Sequence, residues 1–268
     1  MLLTIDVGNT QTTLGVFDKE GQVARQWRMA TDQTDTIDEL GMHVNGYFMM
    51  CGEKVENIGA VAIASVVPLL TQRWCSSLQA FGLEPYVVQP NDECGIDIDM
   101  PYPTQVGADR ITNAVAAKQT YGAPVMVVDF GTATTIDVVD ENGAFRGGAI
   151  MPGFMVATQS LLDRAAKLSS IPLVAPKHAL GTTTEEAIQS GIVLGAAKQI
   201  EGLTAQIKEE LGRPDAKVIA TGGLSTVVAE ATDVFDALDP ELTLRGIWLI
   251  WQKHHEKEKL AKKEASEN

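Results

Sequence analysis

The sequence predicts an α/β protein made of two duplicated halves of the βββαβαβα type, and three observations carry that reading. Asp6-Val7-Gly8-Asn9-Thr10-Gln11-Thr12-Thr13 recurs as Asp129-Phe130-Gly131-Thr132-Ala133-Thr134-Thr135, the two aspartates lying 123 positions apart. Each copy is entered by an apolar run (2–5 and 125–128) and left by another (14–17 and 136–139) that ends at an acidic glycine turn, 18–21 or 140–143. Apolar run, turn, apolar run, turn is the pattern of a β-hairpin. The chain has 268 residues, room for two domains of about 100–150 residues, each with its own core.

After the first hairpin, residues 22–28 read as a third strand closing a meander. Ile37, Leu40, His43, Val44 and Phe48 or Met49 recur at helical spacing, which predicts a helix over 35–51. The short apolar run 58–64 suits a buried parallel strand. Pro68 opens a helix to about Phe81, and 85–88 supplies one more strand. Three hairpin strands followed by alternating helix and parallel strand is the order seen in ribonuclease H-like domains. Residues 109–121 read as a connecting helix, so the expected division is a first domain over 1–108 and a second over 109–268, with a nucleotide cleft between them.

The second half repeats the plan. Its hairpin continues into a third strand over 144–153, and residues 182–184 precede a long helix with Ile188, Ile192, Ala196, Ile200, Leu203 and Ile207 on one face. Thr184 falls in the N-cap region, with Glu185 and Glu186 placed favourably for the helix dipole. Residues 217–220 form a strand running into Thr221-Gly222-Gly223, followed by another helix. The tail from Lys253 mixes Lys and Glu and reads as a solvated or frayed helix end.

Composition excludes several function classes. A net charge of −14 repels nucleic acid and anionic membranes, so neither is expected as a partner, and an anionic substrate needs locally arranged donors. Cys51, Cys75 and Cys94 are odd in number and widely spaced, which speaks against a disulfide framework or a zinc site and for a reducing cytoplasm. The first residues lack the basic start and uninterrupted apolar core of a signal peptide. The longest apolar runs, such as 247–251, are far too short to span a bilayer. His43, His178, His254 and His255 show no metal-ligand spacing, and Trp74, Trp248 and Trp251 read as packing residues.

The repeated turn offers a carboxylate, a glycine that lets backbone approach a phosphate, and hydroxyl and amide donors. Asp6 can position a hydrated divalent cation, and the amides and hydroxyls of Val7, Gly8, Asn9, Thr10, Gln11, Thr12, Thr13 and Thr132 can hold phosphate oxygens. Two copies in matching strand contexts point to two halves serving one nucleotide. No Gly-x4-Gly-Lys-Ser/Thr P-loop is present. Gly107-Ala108-Asp109-Arg110 stands at a loop-to-helix junction. There Asp109 is either a base for a hydroxyl proton or an acidic residue favouring the helix N-terminus.

These turns resemble the phosphate motifs of the superfamily of acetate and sugar kinases, heat-shock chaperone ATPases and actin. The ordered set 107–110, 129–135, 147–153, 181–191 and 221–223 more narrowly resembles type III pantothenate kinase, over residues 1 to about 250. The resemblance implies ATP-dependent phosphorylation of pantothenate, the opening step of coenzyme A biosynthesis, with Mg2+ and a monovalent cation, K+ or NH4+. It implies Asp109 as catalytic base and Asp129 as the monovalent cation ligand. It further implies ATP contact at Thr132, pantothenate contact at Gly107, Ala108, Asp109, Arg110 and Thr184, and a homodimer. Arg110 is bidentate-capable toward a carboxylate, whether of substrate or of the other domain. Thr184 can cap its helix and still touch substrate, and Gly191 and Gly195 permit close helix approach in a dimer or an interior contact.

One segment departs from the family pattern. Where a Tyr and then Asn-Pro usually precede Gly-x-Asp-Arg, this chain has Met100 at the Tyr position and Tyr102 at the Asn position. Either Tyr102 substitutes from a shifted position or one wall of the substrate pocket is altered. Two other readings stay open: a non-catalytic regulatory protein on the same fold, against which the intact Asp6, Asp109 and Asp129 argue, and a kinase of another small hydroxy compound.

Overall fold

The computed structural model describes residues 1–91, 94–164 and 171–267. Its first sheet begins with the meander β1 (Leu2–Val7), β2 (Gln11–Phe17) and β3 (Val23–Ala30). Helix α1 (Ile37–Met50), strand β4 (Ala60–Ser65), helix α2 (Pro68–Gln79) and strand β5 (Pro85–Val87) follow. The strand order is β3-β2-β1-β4-β5, antiparallel through the hairpins and parallel from β1 to β4 to β5. Helix α3 (Ala108–Tyr121) leads to β6 (Val125–Phe130), β7 (Ala133–Val139), β8 (Phe145–Pro152) and α4 (Phe154–Arg164). Then come α5 (Thr184–Gln189), a π-helical segment (Ser190–Leu194), α6 (Gly195–Leu211), β9 (Lys217–Thr221), α7 (Ser225–Ala229), β10 (Ala237–Leu238) and α8 (Leu242–Glu267). The second sheet, in order β10-β9-β6-β7-β8, repeats the topology of the first.

The repeat extends to detail that the motif alone does not contain. Asp6 pairs with Thr13 across the first hairpin, and Asp129 pairs with Thr135 across the second. Both third strands break register at the same place, between Val16 and Phe17 and between Val138 and Val139. Asp18 Oδ1 accepts the backbone N–H groups of Glu20 and Gln22, at 3.0 and 2.9 Å, and Asp140 Oδ1 accepts those of Asn142 and Ala144, both at 2.9 Å. Each aspartate thus closes its acidic turn by the same side-chain capping. The phosphate-type turns differ by one residue: four positions separate the paired Val7 and Thr12, but three separate Phe130 and Thr134.

Alternation along β1 sends Leu3, Ile5 and Val7 into a core with Leu40, Val44 and Phe48 of α1 and Leu70, Trp74 and Leu78 of α2. The opposite face of this sheet meets α8, where Leu244 packs on Gly15 and Trp248 stacks on Phe17 at 6.0 Å. In the second sheet Met126, Val128, Phe130, Ile136 and Val138 form a core with Ala197 and Ile200 of α6 and Val228 of α7. Helix α1 starts at a capping box in which the Thr36 hydroxyl accepts from the Glu39 N–H and the Glu39 carboxylate accepts from the Thr36 N–H. Such a cap is worth about 1 kcal/mol.

Several features depart from the sequence reading. Helix α8 is continuous from Leu242 to Glu267, because its first half carries the apolar face that covers β1 and β2. In its polar part His254 stacks on Tyr86 at 4.3 Å and His255 on Trp251 at 4.8 Å, so neither is simply solvated. The compact units are residues 1–116 with 241–268, and 117–240, whereas the expected division placed everything after 108 in the second domain. The long helix after residue 183 is interrupted by the π-helical segment, and α4 and β10 had no counterpart in the sequence reading.

Candidate functional site

In the first unit the strand β1 delivers Asp6, half-buried, to the mouth of a turn whose Asn9, Thr10 and Gln11 are exposed. Gly8 N–H donates to the Gln11 carbonyl at 3.1 Å, and the Thr10 carbonyl accepts from Thr31 N–H at 2.9 Å, so the turn is tied at both ends. Val7 is fully buried in the core, and the Thr12 hydroxyl is spent on Thr31 Oγ1 at 2.8 Å. The side chains of those two residues therefore hold the turn in place, and Thr13 shares the half-buried face of Asp6, its cross-strand partner.

Asp109 belongs to the same unit, in the first turn of α3. Its Oδ1 accepts the Arg110 backbone N–H at 2.8 Å. Gly107 lets this carboxylate fold back over the backbone, since a Cβ there would collide with Asp109 Oδ1. That same Cβ would also touch Val66 Cγ1 at 3.4 Å, and Val66 N–H donates to the Val7 carbonyl at 3.1 Å. Through Val66, a residue the sequence reading did not single out, the Gly107 corner is seated against the end of the strand carrying Asp6. Burial pushes the Asp109 carboxyl above its ordinary value, opposed by the Arg110 N–H and by the Arg110 charge. A carboxylate that is desolvated, oriented and set at a helix N-terminus is equipped to take a proton. Nearby, Ala108 is buried, Met100 and Arg110 are half-buried and Tyr102 is exposed.

In the second unit the corresponding turn presents Gly131 and Thr132, both exposed, with Gly131 N–H donating to the Ala133 carbonyl at 3.1 Å. Gly153 N–H donates to the Thr132 carbonyl at 3.2 Å. Asp129 is the register partner of Thr135 on one side and of Thr221 on the other, so all three side chains share one face of the sheet. Gly222 covers the end of this row in a left-handed conformation, φ +88°, and a Cβ on it would lie 2.6 Å from Asp129 Oδ1. The Thr135 hydroxyl donates to Oδ2 of the fully buried Asp137 at 3.1 Å. Asp137 escaped the sequence reading; the signal was an acidic residue inside an apolar strand, where the first copy has Gly15.

Thr184 lies in this unit as the first residue of α5 and is exposed. The cap itself is Thr183, whose hydroxyl accepts from Glu186 N–H at 3.2 Å. The Glu186 carboxylate accepts from the Thr182 hydroxyl and from the N–H groups of Thr182 and Thr183, which holds its pKa below the ordinary value. Thr184 is thereby left to face solvent.

Comparison with known proteins places this geometry in a family. The family model described as type III pantothenate kinase matches residues 2–206. Type III pantothenate kinase of Listeria monocytogenes serotype 4a (strain HCC23) is 41% identical over 255 residues, covering 95% of this chain and 98% of that protein. Its counterpart in Listeria welshimeri serovar 6b is 40% identical over the same extent. Among solved structures, the activator of the 2-hydroxyisocaproyl-CoA dehydratase from Clostridium difficile, with bound ADPNP, superposes with a TM-score of 0.58 at 10% identity, covering 96% of this chain and 97% of that one. Component A of the (R)-2-hydroxyglutaryl-CoA dehydratase of Acidaminococcus fermentans gives 0.52 at 17% identity, with 92% and 94% covered. At those identities the structures share the two-sheet α/β fold, while sequence similarity along nearly the whole length decides the rest: this chain belongs to the type III pantothenate kinase family.

Proposed function

We propose that Asp109 is the base of an ATP-dependent transfer to pantothenate. A carboxylate oxygen of Asp109 takes the proton of the primary hydroxyl of pantothenate as the hydroxyl oxygen bonds to the γ-phosphorus of ATP and the bond from that phosphorus to the β,γ-bridging oxygen breaks, leaving ADP. The products are 4'-phosphopantothenate and ADP. The single observation that supports this most is the Asp109 environment: half-buried, oriented by the Arg110 N–H and raised in pKa by desolvation. Arg110 and the half-buried Met100 line the same segment, with Gly107, Ala108, Tyr102 and, from the second unit, Thr184 as further pantothenate contacts.

For the nucleotide, we assign phosphate contact in the first unit to Asp6 and to the turn from Val7 to Thr13, Val7 and Thr12 acting through their backbone. In the second unit Thr132 has that role. Among the described residues no group of three or more His, Cys, Asp or Glu side chains could hold a metal. Mg2+ therefore fits as an ion carried mainly by the nucleotide phosphates, with Asp6 as its protein carboxylate. Asp129, flanked by the hydroxyl-bearing Thr135 and Thr221, is an oxygen-only set suited to K+ or NH4+. When bound, that ion supplies positive charge that offsets phosphate charge.

Ile150, Met155, Val156 and Leu161, on β8 and α4, are exposed apolar side chains of the second unit, and a second copy of the chain is the partner we assign to them. No helix among the described residues is long and apolar enough to cross a membrane. Three free thiols suit a cytoplasmic enzyme. The test is ADP release with ATP, Mg2+ and K+, comparing pantothenate, other alcohols and no acceptor. Pantothenate-dependent release abolished in Asp109→Asn supports the assignment; turnover on another alcohol with pantothenate inert overturns the substrate.

A further inference from the structure

Asp109 is held by more than its own helix. Strand β4 runs parallel to β1, and Val66, one residue past the end of β4, extends the pairing by donating its N–H to the Val7 carbonyl at 3.1 Å. This is the carboxyl end of the two parallel strands, the side on which α/β sheets bind ligands. The chain turns at once into α2, whose N-cap Val67 offers no capping side chain. Ser65 and Thr71 close the corner instead. Ser65 Oγ accepts the Val67 N–H at 3.1 Å and the Thr71 hydroxyl at 2.7 Å, and the Thr71 N–H donates to the Val67 carbonyl at 3.0 Å. Val66 is thus fixed by β1 on one side and by the Ser65–Thr71 pair on the other.

What Val66 presents is a half-buried apolar side chain that also packs on the core of the first unit. The point where a Cβ of Gly107 would sit lies 3.4 Å from Val66 Cγ1 and 3.5 Å from the carboxyl carbon of Asp109. The methyl group and the carboxylate therefore both lie against one hydrogen of Gly107. The charged groups on the neighbouring elements are Asp6, one residue before Val7 on β1, Arg110 on α3 and Arg73 on α2. Arg73 is spent on the Gln33 and Asp35 carbonyls, and the Cys75 thiol of α2 packs on the core. Arg110 is the one whose charge acts on Asp109. The β4–α2 corner brings the carboxylate a hydrocarbon wall and no charge.

We propose that Val66 is a positioning residue for Asp109: its isopropyl group walls one side of the carboxylate, keeps it folded back onto the Arg110 N–H and shields that side from water, and the Ser65–Thr71 pair holds Val66 in place. This role rests on Asp109 being the base. A carboxylate free to rotate loses its aim at the substrate hydroxyl, and one opened to water returns toward its ordinary pKa.

The test is the pH dependence of kcat/KM for pantothenate in the full chain, with kcat and KM resolved separately. Val66→Ala is expected to lower kcat about tenfold with KM nearly unchanged. It should also move the acid midpoint of kcat/KM down toward 3.8. Val66→Ile, which keeps both branches at Cβ, should hold the parental midpoint. Thr71→Val should move the midpoint in the same direction as Val66→Ala, and Thr71→Ser should restore it. Should Val66→Ala fail to fold, the Thr71 variants decide alone. A lower melting temperature with the parental midpoint would show a merely structural corner and overturn the proposal. A raised KM at unchanged kcat overturns it too, by placing Val66 in substrate binding. Asp109→Asn separates this role from the assignment beneath it. If Asp109→Asn is inactive while the Val66 and Thr71 variants keep the parental midpoint, the role of Val66 falls and the base stands. If Asp109→Asn stays active, the base falls and the role of Val66 with it.

Discussion

The Thr135 hydroxyl donates its proton to Oδ2 of the buried Asp137, 3.1 Å away. A hydroxyl has one proton, so the Thr135 oxygen can only accept from any other neighbour, and its register partner is Asp129. Asp137 thereby orients lone pairs toward the place assigned to the monovalent cation. Asp137→Asn, which can donate to Thr135 and reverse that hydroxyl, is expected to raise the K+ concentration giving half-maximal activation several-fold. It should also reduce the K+-dependent rise in melting temperature. Equal K+ responses in variant and parent would refute the assignment.

As the proposed base, Asp109 should govern an acid limb. Its folded pKa is raised above the ordinary 3.8 by burial, so the native state favours the protonated form. The stability this group contributes is complete below the unfolded pKa and is lost as pH rises through the folded one. Asp109→Asn should therefore melt higher than the parent at pH 7, with the gap closing in acid, while kcat drops by about 10²–10⁴-fold. In the parent, kcat/KM should fall in acid with a midpoint above 3.8. Melting curves and pH–rate profiles of the two proteins check both halves.

Gly222 combines a φ of +88° with direct contact to Asp129 and Phe130. Gly222→Ala is expected to lose about 1–3 kcal/mol in urea unfolding. Because the intruding methyl points at the Asp129 carboxylate, the K+ response should weaken with it. Gly223→Ala, with nothing within 4 Å of its Cβ, should stay within about 0.5 kcal/mol of the parent.

Helix α8 is a structural element of the first unit along its apolar half only. Leu244, 2% exposed against Gly15, should cost about 2–5 kcal/mol when replaced by Ala. Residues 256–263 are all exposed, and ending the chain after His255 should leave the urea midpoint nearly unchanged. A large loss on that truncation would show that the polar half of α8 also holds the sheet.

Much of this architecture was legible from local patterns. The hairpins of both halves, the helix after Asp35 and the strand before Thr221 follow from period-two and helical spacing, which are properties of neighbouring residues. Asp6, Asp109, Asp129 and Thr132 stood out because a turn or helix start concentrates donors and carboxylates. The capping residue was displaced by one, from Thr184 to Thr183, since cap choice depends on backbone conformation rather than on composition. Asp137 and Val66 were not legible. Asp137 lies inside a strand whose apolar pattern hides a polar position, Val66 ends an apolar stretch, and only burial and contacts show their significance.

By itself, then, the sequence determined the duplication, most of the order of elements and the family, and it singled out the Asp-x-Gly turns and Asp109 as the candidate site. These rest on residue identity and short-range periodicity. Tertiary structure decided that 241–268 joins the first unit, that Thr221 and Gly222 flank Asp129, that Asp109 is desolvated and that Val66 is set against the Gly107 corner. Each depends on contacts between residues far apart in the chain, where parallel strand register and helix packing, and not local propensity, set the neighbours.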